Sequence, residues 1–226
     1  SAGIHNGVGN WAFGGSVTVL DTDGISAANK KDGNSEDDGY KSQSLRLYGR
    51  WQPNNSFAWD TSIQTIESET EIDEFGFNFV TFTSFFADDP DAHLTSDLVV
   101  VKSQLEWGFL DNSWRQRLAI SLTNHNRESR NGPAGANPNI RNQAFEGDKT
   151  KIELINNIDV NQYNHVVFGL ETEKEEADDI NRLTNTSSIN NLSARTRGVY
   201  LQNQFSYNDA VFVTAGLRHD SHEDFG

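Results

Sequence analysis

Few residues in this chain have both a type and a spacing that does chemistry alone. Cys is absent from the 226 residues, which removes thiolate nucleophiles, disulfides and Cys-ligated zinc. Six His are scattered along the chain. In His219-Asp220-Ser221-His222, strand alternation would send His219 and Asp220 to opposite faces, so no histidine metal site is expected there. Gly7-Val8-Gly9-Asn10-Trp11-Ala12 spells G-x-G-x-x-A. A phosphate-binding loop needs a strand before that motif and a helix after it, and Phe13-Gly14-Gly15 leads into a strand instead. No Ser-His-Asp set has the strand-to-helix turn of a nucleophile elbow. No catalytic residue is therefore expected, and the chain does not read as an enzyme.

Binding chemistry is better represented. Asp88-Asp89-Pro90-Asp91 lies close in sequence to Asp73 and Glu74. Hard oxygen ligands at that density suit calcium, so Asp88, Asp89 and Asp91 are candidate ligands; the alternative is a solvated, self-repelling loop. Phe75, Phe77 and Phe79, followed by Phe82, Phe85 and Phe86, occupy the same stretch. They read either as an aromatic ligand platform or as rings packing on one another above the strands. Arg46, Arg50, Arg115 and Arg117 share a polar face with Glu153, Glu171, Glu173 and Arg218, either as a wall of ion pairs or as direct ligand contacts.

Those side chains need elements to hold them, and composition limits which elements. The chain has 18 Lys and Arg against 33 Asp and Glu, a formal net charge of −15. That balance excludes a phosphate-backbone binder, so no nucleic-acid partner is expected. Mean hydropathy is −0.65, low for a packed soluble domain, yet 11% of the residues are aromatic, too many for a disordered acidic tail. The chain opens at Ser1-Ala2-Gly3 without a signal segment, and no apolar run approaches the roughly 18 residues of a membrane helix. It reads as a piece of a longer polypeptide.

Period-two alternation reconciles low hydropathy with many aromatics. Trp11, Phe13, Val17 and Val19 oppose Ala12, Gly14, Ser16 and Thr18. Leu118, Ile120 and Leu122 oppose Arg117, Ser121 and Thr123. Val211, Val213 and Leu217 oppose Thr214, Gly216 and Arg218. The pattern recurs in residues 39–51, 56–67, 95–109, 149–160, 165–174 and 196–206. The expectation is an all-β chain, an antiparallel up-and-down meander of about nine strands of roughly ten residues, the length of a tilted membrane-spanning strand. Trp11–Thr22 and the last strand, residues 210–220, are expected to be its unpaired edges.

Short turns at residues 52–55, 110–113, 161–164 and 207–209 alternate with long polar stretches at 23–38, 68–94, 126–148 and 175–195, which are expected to be loops. Antiparallel neighbours joined this way put every short turn at one end. Trp51, Phe57, Trp107, Phe109, Trp114, Phe205 and Tyr207 gather towards that end, with Tyr163 and Trp11. Rings of this kind favour a membrane–water boundary.

On these residues the sequence resembles the barrel domain of TonB-dependent outer-membrane receptors. Gly198-Val-Tyr-Leu-Gln-Asn-Gln-Phe205, a short turn, then Val213-Thr-Ala-Gly-Leu-Arg-His-Asp220 is the strongest match. Asp38-Gly39-Tyr40 and Val167-Phe168-Gly169-Leu170-Glu171 add to it. The resemblance covers most of the chain and implies part of a larger transmembrane β-barrel in the outer membrane of a Gram-negative bacterium, of the cobalamin or siderophore receptor type. It implies outer-membrane lipid, the protein's own plug domain, the TonB complex and a small, bulky nutrient as partners. Nothing in these residues reads as the plug. The polar face would line the lumen. No cofactor is implied as required, and calcium ordering an outer loop is known among cobalamin-receptor relatives. A passive porin-type or oligosaccharide channel and a soluble β-sandwich binding module are the alternative readings.

Overall fold

The computed structural model of the chain describes residues 1–25, 28, 31, 37–78, 80–134, 140–208 and 210–223. Twelve strands follow one another: β1 (Ala2–Val8), β2 (Trp11–Thr22), β3 (Tyr40–Asn54), β4 (Phe57–Glu71), β5 (Glu74–Asn78), β6 (Thr83–Ala87), β7 (His93–Phe109), β8 (Trp114–Asn131), β9 (Arg141–Asn161), β10 (Asn164–Asn181), β11 (Thr186–Tyr207) and β12 (Val211–His222). Ten of them form one antiparallel sheet in the order β1-β2-β3-β4-β7-β8-β9-β10-β11-β12, while β5 and β6 form a separate hairpin. The meander is all-β, as the alternation predicts.

Three expectations need correction. The sheet has ten strands because β1, too short and too Gly-rich for a clear alternation, pairs with β2 from Ala2↔Val17 to Val8↔Trp11. Trp11–Thr22 is therefore an interior strand, and the edges among the described residues are β1 and β12. Much of the expected long loops is also strand: β10 continues to Asn181 and β11 starts at Thr186, so a tight turn joins them where a loop of residues 175–195 was expected. Above the apolar band both faces of a strand meet water. The ladder then persists while the hydrophobic alternation that reveals it fades.

Turn chemistry fits the short ends. The β1–β2 turn carries Gly9 at φ 59°, so the G-x-G-x-x-A letters close a hairpin rather than open a helix. Leu110, Asp111 and Asn112 adopt positive φ between β7 and β8, as does Asn208 between β11 and β12; Asn and Asp bear that conformation at small cost. The Asn161 side chain accepts the Tyr163 and Asn164 amides at 2.9 and 3.0 Å.

The sheet is one layer thick. Its most buried apolar side chains are alanines, Ala58, Ala119 and Ala144 among them, while Trp11, Leu47, Ile63, Ile120, Leu170, Leu201 and Leu217 all stand exposed. A sandwich buries one face of each sheet against the other, and among the described residues no second layer covers the apolar face, which argues against the sandwich reading. Among the described residues no helix is long and apolar enough to cross a membrane, a criterion that does not apply to strands.

Candidate functional site

Register sorts the side chains into two faces. Phe13, Leu47, Ile63, Val101, Leu118, Ile120, Leu154, Leu170, Val199 and Leu217 fall on one face. Arg46, Arg50, Arg115, Arg117, Glu171, Glu173 and Arg218 fall on the other, joined by Asp60, Lys102, Glu153, Lys149, Lys151, Tyr200 and Asp220.

One row of hydrogen-bonded positions gives the geometry of the whole sheet. It runs Phe13, Gly49, Thr61, Ser103, Ile120, Ile152, Thr172, Arg197, Ser221. On β2 its member lies two positions from Trp11, on β8 six from Trp114, and on β11 ten from Tyr207. The row thus climbs steadily away from the short turns, as strand tilt in a barrel wall requires.

Aromatic rings mark the short-turn rim. Trp11 stacks on Trp51 with centroids 5.7 Å apart, Trp51 meets Phe57 edge-on at 5.7 Å, and Phe109 lies 5.2 Å from Trp114. Tyr163 lies 6.5 Å from Phe205 and 5.4 Å from Tyr207. On the apolar face three indole N–H groups find partners. Trp59 donates to Ser103 Oγ at 2.9 Å, Trp107 to Gln116 Oε1 at 2.9 Å and Trp114 to Asn156 Oδ1 at 3.0 Å. Gln116 and Asn156 would be misplaced polar residues on this face without those partners.

The polar face carries a lattice of ion pairs. Arg50 Nη1 reaches both carboxylate oxygens of Asp60 at 2.9 Å, and Gln104 also donates to Asp60 at 3.4 Å. Arg117 lies 3.7 Å from Glu153. Glu171, whose side chain is 11% exposed, joins Lys151 at 3.1 Å to Arg218, and Arg218 also binds Asp220. Lys149 binds Glu173 at 2.7 Å and Glu175 at 3.1 Å. The Arg218 guanidinium sits 5.8 Å from the Tyr200 ring centre. Tyr200 covers Gly169, where a Cβ would come 2.1 Å from the ring, and Tyr48 covers Gly14, where it would come 2.5 Å away. Arg46 and Arg115 have no carboxylate partner among the described residues. Arg46 lines a cleft of about 280 Å³ with Tyr48, Ser62 and Lys102.

The sequence reading missed Asp60, Lys149, Lys151, Tyr200 and Asp220 as lattice members. Counting back from the 161–164 turn would have missed the two lysines by one residue, since a bulge between Asn164 and His165 shifts the register to Glu171↔Glu153 and Glu173↔Lys151. Tyr200 needs the tertiary fact that Gly169 lies directly opposite.

The acidic loop works as a tie. Asp91 accepts the Gly132 and Ala134 amides at 3.3 and 2.9 Å, and Asp73 accepts the Ala28 amide at 2.7 Å. Each bond joins neighbouring outer connections. Asp89 is 2% exposed, and its carbonyl accepts the Ala92 amide at 3.1 Å. Asp88 is half-buried just after β6. Among the described residues no three His, Cys, Asp or Glu side chains converge as a metal site requires. Phe75 and Phe77 occupy alternate positions of β5, opposite Phe86 and Ser84; Phe79 lies outside the described residues. The hairpin that carries them is separate from the β4–β7 ladder.

The family model for the TonB dependent receptor-like β-barrel matches residues 4–226. No curated protein matches the chain in sequence. Among solved structures, the siderophore receptor PirA from Acinetobacter baumannii is similar at a TM-score of 0.66 and 14% identity, over 94% of this chain and 34% of that one. The ferric yersiniabactin uptake receptor FyuA from Yersinia pestis gives 0.64 and 14%, over 96% and 35%. The RagAB peptide transporter gives 0.62 and 9%, over 98% and 31%. The chain spans about a third of the length of these structures.

Proposed function

The chain belongs to the TonB-dependent receptor β-barrel family, and from that premise we propose that it builds part of the wall of a receptor that takes up a scarce, bulky nutrient. Proteins of this family reside in the Gram-negative outer membrane, where the apolar face meets lipid. In this reading the polar face lines the lumen, the receptor's own plug packs against it, and transport draws energy through the TonB complex. A ferric siderophore is the first ligand class, supported by the siderophore receptors among the similar folds. Cobalamin stands second. No catalytic role is assigned to any residue.

The observation that carries this reading is the pairing of two faces on one single-layer sheet. A lipid-compatible face with an aromatic rim backs a face laced with ion pairs. Only a wall between hydrocarbon and water needs both at once. Arg46 and Arg115, without a carboxylate partner among the described residues, give the lumen side positive points for an anionic ligand or for plug carboxylates.

Uptake of radiolabelled iron presented as a ferric siderophore tests the proposal in cells carrying the full-length receptor. Surface binding should survive a proton uncoupler while accumulation stops. Accumulation that continues without the proton gradient would indicate a passive channel.

A further inference from the structure

The apolar face contains a groove that the uptake reading does not use. Its volume is about 440 Å³ and it crosses β9, β10, β11 and β12, floored by Ile152, Leu154, Leu170 and Val199 with Arg197 at its rim. Arg195 follows on the same face of β11. Both arginines are exposed, and neither has a carboxylate partner among the described residues. Lys174, directly across from Arg195, is instead held by Glu176 at 2.7 Å.

Position along the strand fixes the depth of these groups. Arg197 stands ten residues from Tyr207 at the aromatic rim. Ten residues rising ~3.3 Å each, foreshortened by a tilt of about 40°, climb roughly 25 Å, the height of a barrel's apolar band. Leu154 and Leu170 lie below that level in the outer half of the band. Arg197 is at its upper boundary and Arg195 just above it.

A chain carrying −15 formal charges thus keeps two uncompensated cations on the face meant for hydrocarbon, directly above an apolar groove. Facing bare acyl chains they would carry a desolvation cost with nothing to offset it. An anionic headgroup supplies the missing partner, since Arg pairs well with phosphate oxygens.

We propose that this groove holds an anionic phospholipid-type amphiphile of the outer leaflet, its acyl chain along Leu154, Leu170 and Val199 and its phosphate on Arg197 and Arg195. The site rests on the reading of the apolar face as lipid-facing. It is a specific lipid site rather than general wetting because the other cations near this height on the face stand beside carboxylates: Lys174 is held by Glu176 at 2.7 Å, and Lys41 lies between Asp21 and Glu69 in the ladder.

Native mass spectrometry of the full-length receptor in detergent, titrated with phosphatidylglycerol or phosphatidylcholine, tests the proposal. The wild type should prefer phosphatidylglycerol. Each arginine near a charged lipid surface contributes roughly fivefold, so Arg195→Gln with Arg197→Gln should cut the preference by roughly 25-fold. Arg182→Gln, on the β10–β11 turn and held by Glu146, should leave it unchanged. Leu170→Trp should weaken binding by filling the groove while leaving both charges. No preference in the wild type, full preference in the double variant, or full affinity in Leu170→Trp would each overturn the site. A spin label at Ile120 separates this from failure of the membrane reading: collision with oxygen keeps the lipid-facing wall even when the groove fails, whereas collision with a water-soluble nickel reagent rejects the wall itself.

Discussion

Ile120 and Ser121 are neighbours on β8 with opposite fates. Ile120 is 43% exposed on the apolar face between Ser103 and Ile152. Ser121 lies on the polar face between Lys102 and Lys151. Ile120→Arg in the full-length receptor should cost about 2–4 kcal/mol of folding free energy in lipid, the range for a cation near the bilayer midplane. Ser121→Arg would bring like charges together across the strands, a penalty of roughly 0.2–1 kcal/mol. Unfolding titrations of both variants in lipid decide the matter, and equal costs would mean the faces are misassigned.

Asp91 gives a test by pH. The Ala134 amide, foremost among its partners, holds the Asp91 carboxyl below the ordinary carboxylate range. A depressed folded value means the tie to Gly132 and Ala134 is fully present above the unfolded value of about 3.9 and is lost as pH falls through the lower folded value. Amide resonances of Gly132 and Ala134, followed during acid titration of the intact receptor, should shift with a midpoint below about 3.9. A midpoint at or above that value would show that Asp91 does not cap this turn. The sequence offered Asp91 as an oxygen-rich candidate ligand. That it accepts from backbone amides 41 and 43 residues away is a tertiary fact no local pattern encodes.

At the level of elements, legibility follows the environment of each strand. Within the apolar band every strand from β2 to β12 in the main sheet was readable, because one face in lipid and one in water imposes strict alternation. Outside the band that contrast vanishes. Residues 171–179, charged on nearly every side chain, form β10 all the same, paired to β9 from Glu171↔Glu153 to Asp179↔Phe145. Charge pairing across strands is their visible support: Lys149 with Glu173 and Glu175, and Arg182 with Glu146. The β5–β6 hairpin was hidden for a different reason, since its Phe-rich run reads equally as platform or packing. Hydrogen exchange on the intact receptor should therefore show slow amides through residues 171–177 and fast ones at 182–185. Uniformly fast exchange across 171–195 would restore the loop that the composition predicts.

At the scale of the whole chain, the edges and the tilt are the consequences to test. β1 and β12 have one sheet neighbour each, leaving rows of unpaired N–H and C=O groups, and Ile4 and Leu217 there are 78% and 81% exposed. Residues 1–226 expressed alone should aggregate in plain buffer and need detergent to stay dispersed. A monodisperse, cooperatively unfolding monomer without detergent would reject the membrane wall.

Tilt makes a sharper demand, because it separates hydrogen-bonded neighbours in depth. Phe13, Ile120 and Arg197 belong to one row of the ladder. In an untilted sheet such a row would lie parallel to the membrane plane. Here the row members stand two, six and ten positions from the aromatic rim on β2, β8 and β11. At ~3.3 Å per residue and a tilt of about 40°, those offsets become heights of roughly 5, 15 and 25 Å. Spin labels placed singly at the three positions of the full-length receptor should thus report the inner interface, mid-bilayer and the outer interface when oxygen and nickel accessibility are compared. Ile120 should give the highest oxygen preference, with Phe13 and Arg197 lower on either side. The same gradient sets where Ile120→Arg costs most and places Arg197 beside headgroups, so the three results stand together. Three equal depths would mean that the strands run straight along the bilayer normal, and the climb of this row could then no longer place Arg197 at the outer rim.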